Sequence, residues 1–292
     1  MEPNQSYGKR MWYLWGPVVI KFGIAYLIYV IVTAGLMVAY TSVKTGGDAD
    51  AMMAIFESQT QIQQMYEAVL TQLYSYAVPI EGAAALVTIP LMAFFFHRDR
   101  TKEKKAGITI YKKAPLWKYA GIIVISATMS MALNNLILIS HMSEMSESYE
   151  KIMEAFYEPS FLMQIVCLGI VIPICEEMVY RGLMFRRMRG QTKFLQAALY
   201  SSVVFAITHG NVVQMLYGFF MGMLLAYLYE KYGSVKAPIL GHITANLLSV
   251  VGTNYNLFGW LMKEPMRMGI VTVACASLAA TAFVWIQRIE AE

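Results

Sequence analysis

Three ionisable side chains, Glu176, Glu177 and Arg181, lie inside an apolar run that begins at Phe161 and ends at Phe185. A charge near the centre of a bilayer costs about 2.5–3.5 kcal/mol on insertion scales, so such residues carry function or a specific pairing. Glu177 and Arg181 are four residues apart, acid first, and can neutralise each other on a helix as a structural ion pair. Glu176 points about 100° away from Glu177 and has no basic residue within local reach. Downstream, His209 stands in the short link His209-Gly210-Asn211 between two apolar runs, while His242 and Asn246 share a helix face. Each of these taken alone reads as an interhelical hydrogen bond. Together, a carboxylate, two imidazoles and an amide are what amide hydrolysis requires: a base for water and donors for a tetrahedral oxyanion.

Other intramembrane protease chemistries are tested by absence. The aspartates are Asp48, Asp50 and Asp99, all between apolar runs, so no membrane aspartyl dyad forms. There is no His-Glu-x-x-His run and no Gly-x-Ser-x-Gly elbow. The other two histidines, His97 and His141, sit at run edges. What remains is a glutamate-centred site. Its motifs are Glu-Glu-x-x-x-Arg at Glu176, Glu177 and Arg181, Phe-x-x-x-His at Phe205 and His209, and His-x-x-x-Asn at His242 and Asn246. In that order they resemble the CAAX-protease and bacteriocin-processing (CPBP, or Abi) family of intramembrane proteases. The resemblance implies that Glu176 activates water with help from His209, that His242 and Asn246 stabilise the oxyanion, and that Glu177 and Arg181 support the site. It also implies an alternative in which Glu176, His209 and His242 hold zinc. The metal-free form, with no cofactor, is preferred.

The elements that must position these groups are membrane helices. The chain has 292 residues, 58% hydrophobic and 14% charged, with a formal charge of +4. Soluble domains carry about 25% charged residues, so the composition is that of a membrane protein. No solvated basic surface suggests nucleic acid. Cys167, Cys175 and Cys275 fall in apolar runs and imply neither a disulfide nor a metal site. Apolar runs at 22–40, 74–96, 117–139, 161–185, 194–208, 212–229, 238–251 and 268–286 predict about eight transmembrane helices. Residues 11–20 read as an aromatic interfacial lead-in, with Lys21 at the membrane boundary. Pro173 is expected to kink the fourth helix and admit water.

Loop charge sets the orientation. Residues 98–118 hold eight basic side chains against Asp99 and Glu103, which places that loop inside by the positive-inside rule. The loops 41–72 and 141–160 are acidic, each with an apolar stripe at helical period, and are expected outside as surface-lying amphipathic helices. The expectation is thus an all-α polytopic bundle with both termini cytoplasmic, in the plasma membrane, and a site open to the cytoplasmic side. Residues 1–160 form an N-terminal membrane region, 161–251 the catalytic core and 252–292 a final span. From the resemblance, the function expected is an intramembrane endopeptidase acting on a lipidated peptide, a bacteriocin leader or a membrane protein. The alternative is a non-proteolytic membrane partner or a bacteriocin self-immunity protein using the same cavity.

Overall fold

A computed structural model describes residues 6–107, 114–142 and 146–289. Lys112 and Lys113 of the basic loop and Glu144 of the acidic loop lie outside them. The chain begins with α1 (Tyr7–Thr45), then the short α2 (Ala49–Glu57) and α3 (Gln59–Ser75), and α4 (Ala77–Lys105). A 3-10 turn at Leu116–Tyr119 leads into α5 (Ala120–Ile139), followed by α6 (Glu147–Tyr157). The long α7 (Phe161–Arg189) comes next. Then follow α8 (Phe194–Ile207), α9 (Val212–Tyr232), α10 (Lys236–Asn254), α11 (Leu257–Met262) and α12 (Pro265–Gln287). No strand occurs among the described residues.

Eight of these helices make the bundle. Six are long and apolar enough to cross a membrane: α1, α4, α5 with its leading 3-10 turn, α7, α9 and α12. Of the other two, α10 is mostly buried or half-buried, whereas α8 buries one face and exposes Leu195, Leu199, Val203 and Ile207 on the other. With 14 residues α8 is about 21 Å long, short of the ~30 Å hydrocarbon core. The chain is an integral membrane protein of helical-bundle class.

The first helix departs from the sequence reading. The expected lead-in and first span are one continuous helix of 39 residues with Pro17 inside it. A proline interior to a helix leaves the carbonyl four residues earlier without its donor. That carbonyl is Tyr13 O, and the Arg187 guanidinium of α7 donates to it. Proline is tolerated where another helix supplies the missing donor. Lys21 therefore lies well inside α1, not at a boundary. The expected single amphipathic helix over 41–72 is likewise two, because Ser58 adopts an extended conformation (φ −101°, ψ 112°) between α2 and α3.

Two ends of the bundle differ in charge. At one, Asp99 of α4 accepts from Arg187 Nε of α7 at 2.7 Å and from the Tyr13 hydroxyl of α1 at 3.2 Å. Arg186 pairs with Glu103, and Arg189 with Glu230 of α9 at 2.9 Å. The basic cluster after the fourth span thus ties four helices together as well as signalling topology. The other end carries α2, α3 and α6. Between the ends, α10 lies close against α5 and α9: a Cβ on Gly241 would meet Ser126 Oγ at 2.8 Å and Leu228 Cδ1 at 2.9 Å. Small residues at such crossings let membrane helices approach.

Orientation is checked with single cysteines in a chain whose three natural cysteines are replaced. In sealed cells an impermeant maleimide is expected to label Gln63→Cys and Glu150→Cys, and to label Lys104→Cys only after permeabilisation. The reverse pattern would invert the assignment.

Candidate active site

The site is built around α7, whose hydrogen bonding is irregular on both sides of the acidic pair. π-Helical stretches run over Ile165–Val171 and Met178–Phe185, flanking Ile172–Glu177. Such widenings cluster at functional sites because they redirect side chains and free carbonyls. Here the cause is Pro173. The Ile172 N–H bonds Cys167 O, five residues back. In that register the donor due to Leu168 O would be residue 173, which has no N–H. Asn246 Nδ2 of α10 donates to Leu168 O at 2.9 Å instead. One N–H of this amide is therefore committed to backbone repair, and one is left for the cavity it lines. Proline 173 thus acts by freeing a carbonyl that an amide from another helix occupies.

Glu177 is the pivot of the buried polar network. It and Arg181 are fully buried. Glu177 Oε1 accepts from Arg181 Nη1 at 2.8 Å, as expected, and also meets His242 Nδ1 at 2.8 Å. The second contact joins α7 to α10 and sets the imidazole plane. Since the carboxylate beside Arg181 accepts, Nδ1 is assigned the proton and Nε2 faces Glu176, 3.9 Å from its Oε2. His209, just past the end of α8, donates from Nδ1 to Phe205 O at 2.8 Å, and so also presents Nε2 to the cavity. Gly210 then takes a positive φ (77°), which lets the chain reverse into α9, capped by Asn211 Oδ1 on the Gln214 N–H at 2.9 Å.

Phe205 explains why an aromatic ring belongs to the motif. Its face carries the Arg181 guanidinium at 4.4 Å. Its edges meet His209, His242 and Tyr180 at centroid distances of 4.7, 5.8 and 5.1 Å. One ring positions both imidazoles and covers the buried cation.

Two functional candidates escaped sequence reasoning. Lys21 Nζ of α1 lies 3.0 Å from Glu176 Oε1, so Glu176 has a partner after all, 155 residues away in sequence. Glu81 of α4 lines the same cavity and faces Tyr29. Both are ionisable residues within helices long enough to cross a membrane, a signal obscured for Lys21 by starting the first span at residue 22, whereas α1 begins at Tyr7.

The cavity is about 620 Å³ in volume. Lys21, Glu176, His209, His242 and Asn246 line it at mid-helix depth, together with Tyr149 and Phe156 of α6. Its walls are the first turns of α4, the last turns of α5, the start of α9 and the C-terminal half of α10. No residue of the basic end lines it. The cavity extends toward the end carrying the acidic helices, beneath α6, and away from the basic end.

Both Nε2 atoms facing the cavity suit a metal ligand, and the carboxylate on His242 Nδ1 is the usual support for one. Yet among the described residues no three His, Cys, Asp or Glu side chains converge as a ligand set. The Lys21 ammonium also sits on the Glu176 oxygen that would bind. As placed, the three candidate ligands do not fit zinc.

Residues 158–248 match the model of the family described as type II CAAX prenyl endopeptidase Rce1-like. Over this stretch, about a third of the chain, the sequence is similar to the CAAX-protease family. The matched stretch holds Glu176, Glu177, Arg181, Phe205, His209, His242 and Asn246, whereas Lys21 and Glu81 lie outside the CAAX-type segment. A Bacillus subtilis (strain 168) protein described as "Putative membrane peptidase YdiL" is 26% identical over 156 residues, which is 53% of this chain and 63% of that protein. The chain thus spans somewhat less than two thirds of that relative. No solved structure matches.

Two substitutions probe the polar network. Arg181→Ala leaves the buried Glu177 without its guanidinium counter-charge and held by His242 alone, and breaking a buried pair from one side costs about 3–5 kcal/mol. A large drop in the detergent melting temperature is expected, and an unchanged one would show that Arg181 is not what holds Glu177. Asn246→Ala strands Leu168 O, at a cost of about 1–3 kcal/mol. In a Pro173→Ala background, which restores the N–H, that loss should shrink. Equal losses in both backgrounds would refute the repair.

Proposed function

We propose that the chain is an intramembrane endopeptidase in which Glu176 activates water. The observation that supports this most is the carboxylate's asymmetry: Lys21 holds Oε1, while Oε2 looks across 3.9 Å toward His242 Nε2. A gap of that width suits a bridging water. Glu176 Oε2 takes a proton from the water, whose oxygen attacks the peptide carbonyl carbon. The oxyanion is met by the remaining N–H of Asn246 and by His242, which in its protonated form keeps Glu177 on Nδ1 and turns an Nε2–H inward. Collapse of the intermediate breaks the C–N bond, and His209 or the carboxyl of Glu176 delivers the proton to the leaving amine. The surrounding residues exclude bulk water and fix the imidazoles, and none of these steps uses a metal.

The position of the cavity narrows the substrate. It extends toward the acidic end, which the positive-inside rule sets outside, and the apolar face of α6 lines it there. A hydrophobic segment presented from that face, such as an exported peptide or a membrane-protein helix, fits better than a lipidated tail on the cytoplasmic side. The plasma membrane is the corresponding location, with both termini inside.

The test compares membrane-associated peptides from cells carrying wild type or Glu176→Gln. Products present with wild type and lost with the variant are expected, since removing a general base lowers rate by about 10²–10⁴-fold. Purified enzyme should keep its activity after exhaustive chelation. Activity lost on chelation and restored by zinc would establish a metal mechanism with His209 and His242 as ligands, and cleavage by Glu176→Gln would remove Glu176 as base. No wild-type products at all would favour a membrane partner or immunity role.

A further inference from the structure

α1 makes little use of its surface in packing. Tyr26, Leu27, Ile31 and Val38 are exposed on it, and its buried residues are confined to Gly16, Pro17, Val18, Ala25 and Thr41. Lys21 lies within that inner patch, directed at α7. Its ammonium bonds Glu176 Oε1 at 3.0 Å and lies 5.6 Å from the centre of the Tyr180 ring. The side chains of Lys21 and Glu176 are only 15% and 12% exposed.

The charge balance gives this contact its meaning. Glu177 and Arg181 cancel each other, and His242 uses Nδ1 on Glu177. No Lys or Arg of the matched segment 158–248 pairs with Glu176, and His242, 3.9 Å away, carries charge only when protonated. A buried carboxylate without a counter-charge takes up a proton instead, and a protonated carboxyl is no general base. The only cation touching Glu176 among the described residues comes from α1. Because Lys21 takes one oxygen, it also determines which oxygen faces His242.

We propose that Lys21 is a positioning residue for Glu176, so that the first helix, outside the CAAX-type segment, completes the site by holding Glu176 ionised with Oε2 turned to the cavity. This rests on the peptidase reading for its effect on rate, but not for the pairing itself. Lys21 touches no reacting atom; it acts through Glu176. Glu81, facing the same cavity, is the other carboxylate within electrostatic reach of Lys21. Its presence makes the lysine the single positive charge between two acids.

Full-length protein is purified as wild type, Lys21→Met and Lys21→Arg, each also with Glu176→Gln. Infrared difference spectra between each member and its Glu176→Gln partner isolate that one carboxyl. Wild type and Lys21→Arg should show an ionised carboxylate band, and Lys21→Met a protonated carboxyl band. In proteoliposomes with quenched fluorescent transmembrane peptides, Lys21→Met should lose about 100-fold in kcat, the scale of a misplaced catalytic group. Its KM should stay within about threefold, because no substrate contact is removed. Lys21→Arg should recover most of the loss. If Lys21→Met does not fold, Lys21→Gln, which keeps a hydrogen bond but no charge, is read by the same criteria. An ionised band in the neutral variants, or wild-type kcat in them, overturns the proposal. If wild type cleaves none of the peptides, the peptidase reading fails while the infrared comparison still decides the pairing.

Discussion

The fully buried Glu177 carboxylate is the interaction on which the rest of the site depends. One oxygen, Oε1, receives Arg181 from its own helix and His242 from α10, both at 2.8 Å. In an interior without water, a charge of this kind is retained only where geometry and hydrogen bonds offset its desolvation. The pairing therefore does two jobs with one atom. It neutralises a cation in the middle of α7, and it fixes the tautomer and plane of an imidazole on a different helix. Phe205 then locks the arrangement by covering the guanidinium and abutting both imidazoles. Moving any one of α7, α8 or α10 would break a contact belonging to the other two.

Irregular backbone is handled by a common device. Pro17 leaves Tyr13 O without its donor and Arg187 supplies one; Pro173 leaves Leu168 O without its donor and Asn246 supplies one. At membrane depth an unpaired carbonyl costs several kcal/mol, so a helix can be interrupted only where a neighbour brings a polar group to the gap. Each repair also binds helices across the bundle, α1 to α7 at the basic end and α7 to α10 at the cavity. A proline in these helices is better read as half of an interhelical contact than as a hinge.

How far the sequence could be read follows from the range of each interaction. The Glu177–Arg181 pair is a four-residue contact, and the motif residues of α7, α8 and α10 were all legible as polar groups in apolar runs. The all-helical bundle was legible because apolar period and length are local, but of the eight spans expected six are helices long and apolar enough to cross a membrane. The partner of Glu176 was not legible, since Lys21 is 155 positions away and looked like a boundary lysine once the first helix was begun at residue 22. Asn246 was legible as a polar group facing inward, but its bond to Leu168 O depends on a five-residue backbone register that no side-chain pattern announces. The stripe on α6 was visible by period; that it covers a cavity, with Tyr149 and Phe156 on the lining, is a property of the packed bundle.

Charge distribution along the bundle separates anchoring from chemistry. At the basic end every acid described above (Asp99, Glu103 and Glu230) is taken by an arginine of the 186–189 cluster, and these pairs clamp α4 and α9 to α7 without reaching the cavity. At mid-depth the acids outnumber the fixed cations: Glu81, Glu176 and Glu177 face Lys21 and Arg181, with two histidines able to take up protons. An interior with one carboxylate more than it has permanent cations must bind a proton or carry the excess on a polarised water. Two imidazoles direct Nε2 at this cavity. The imbalance that would be a defect in a structural core is, in the proposed peptidase, the condition for moving protons during hydrolysis.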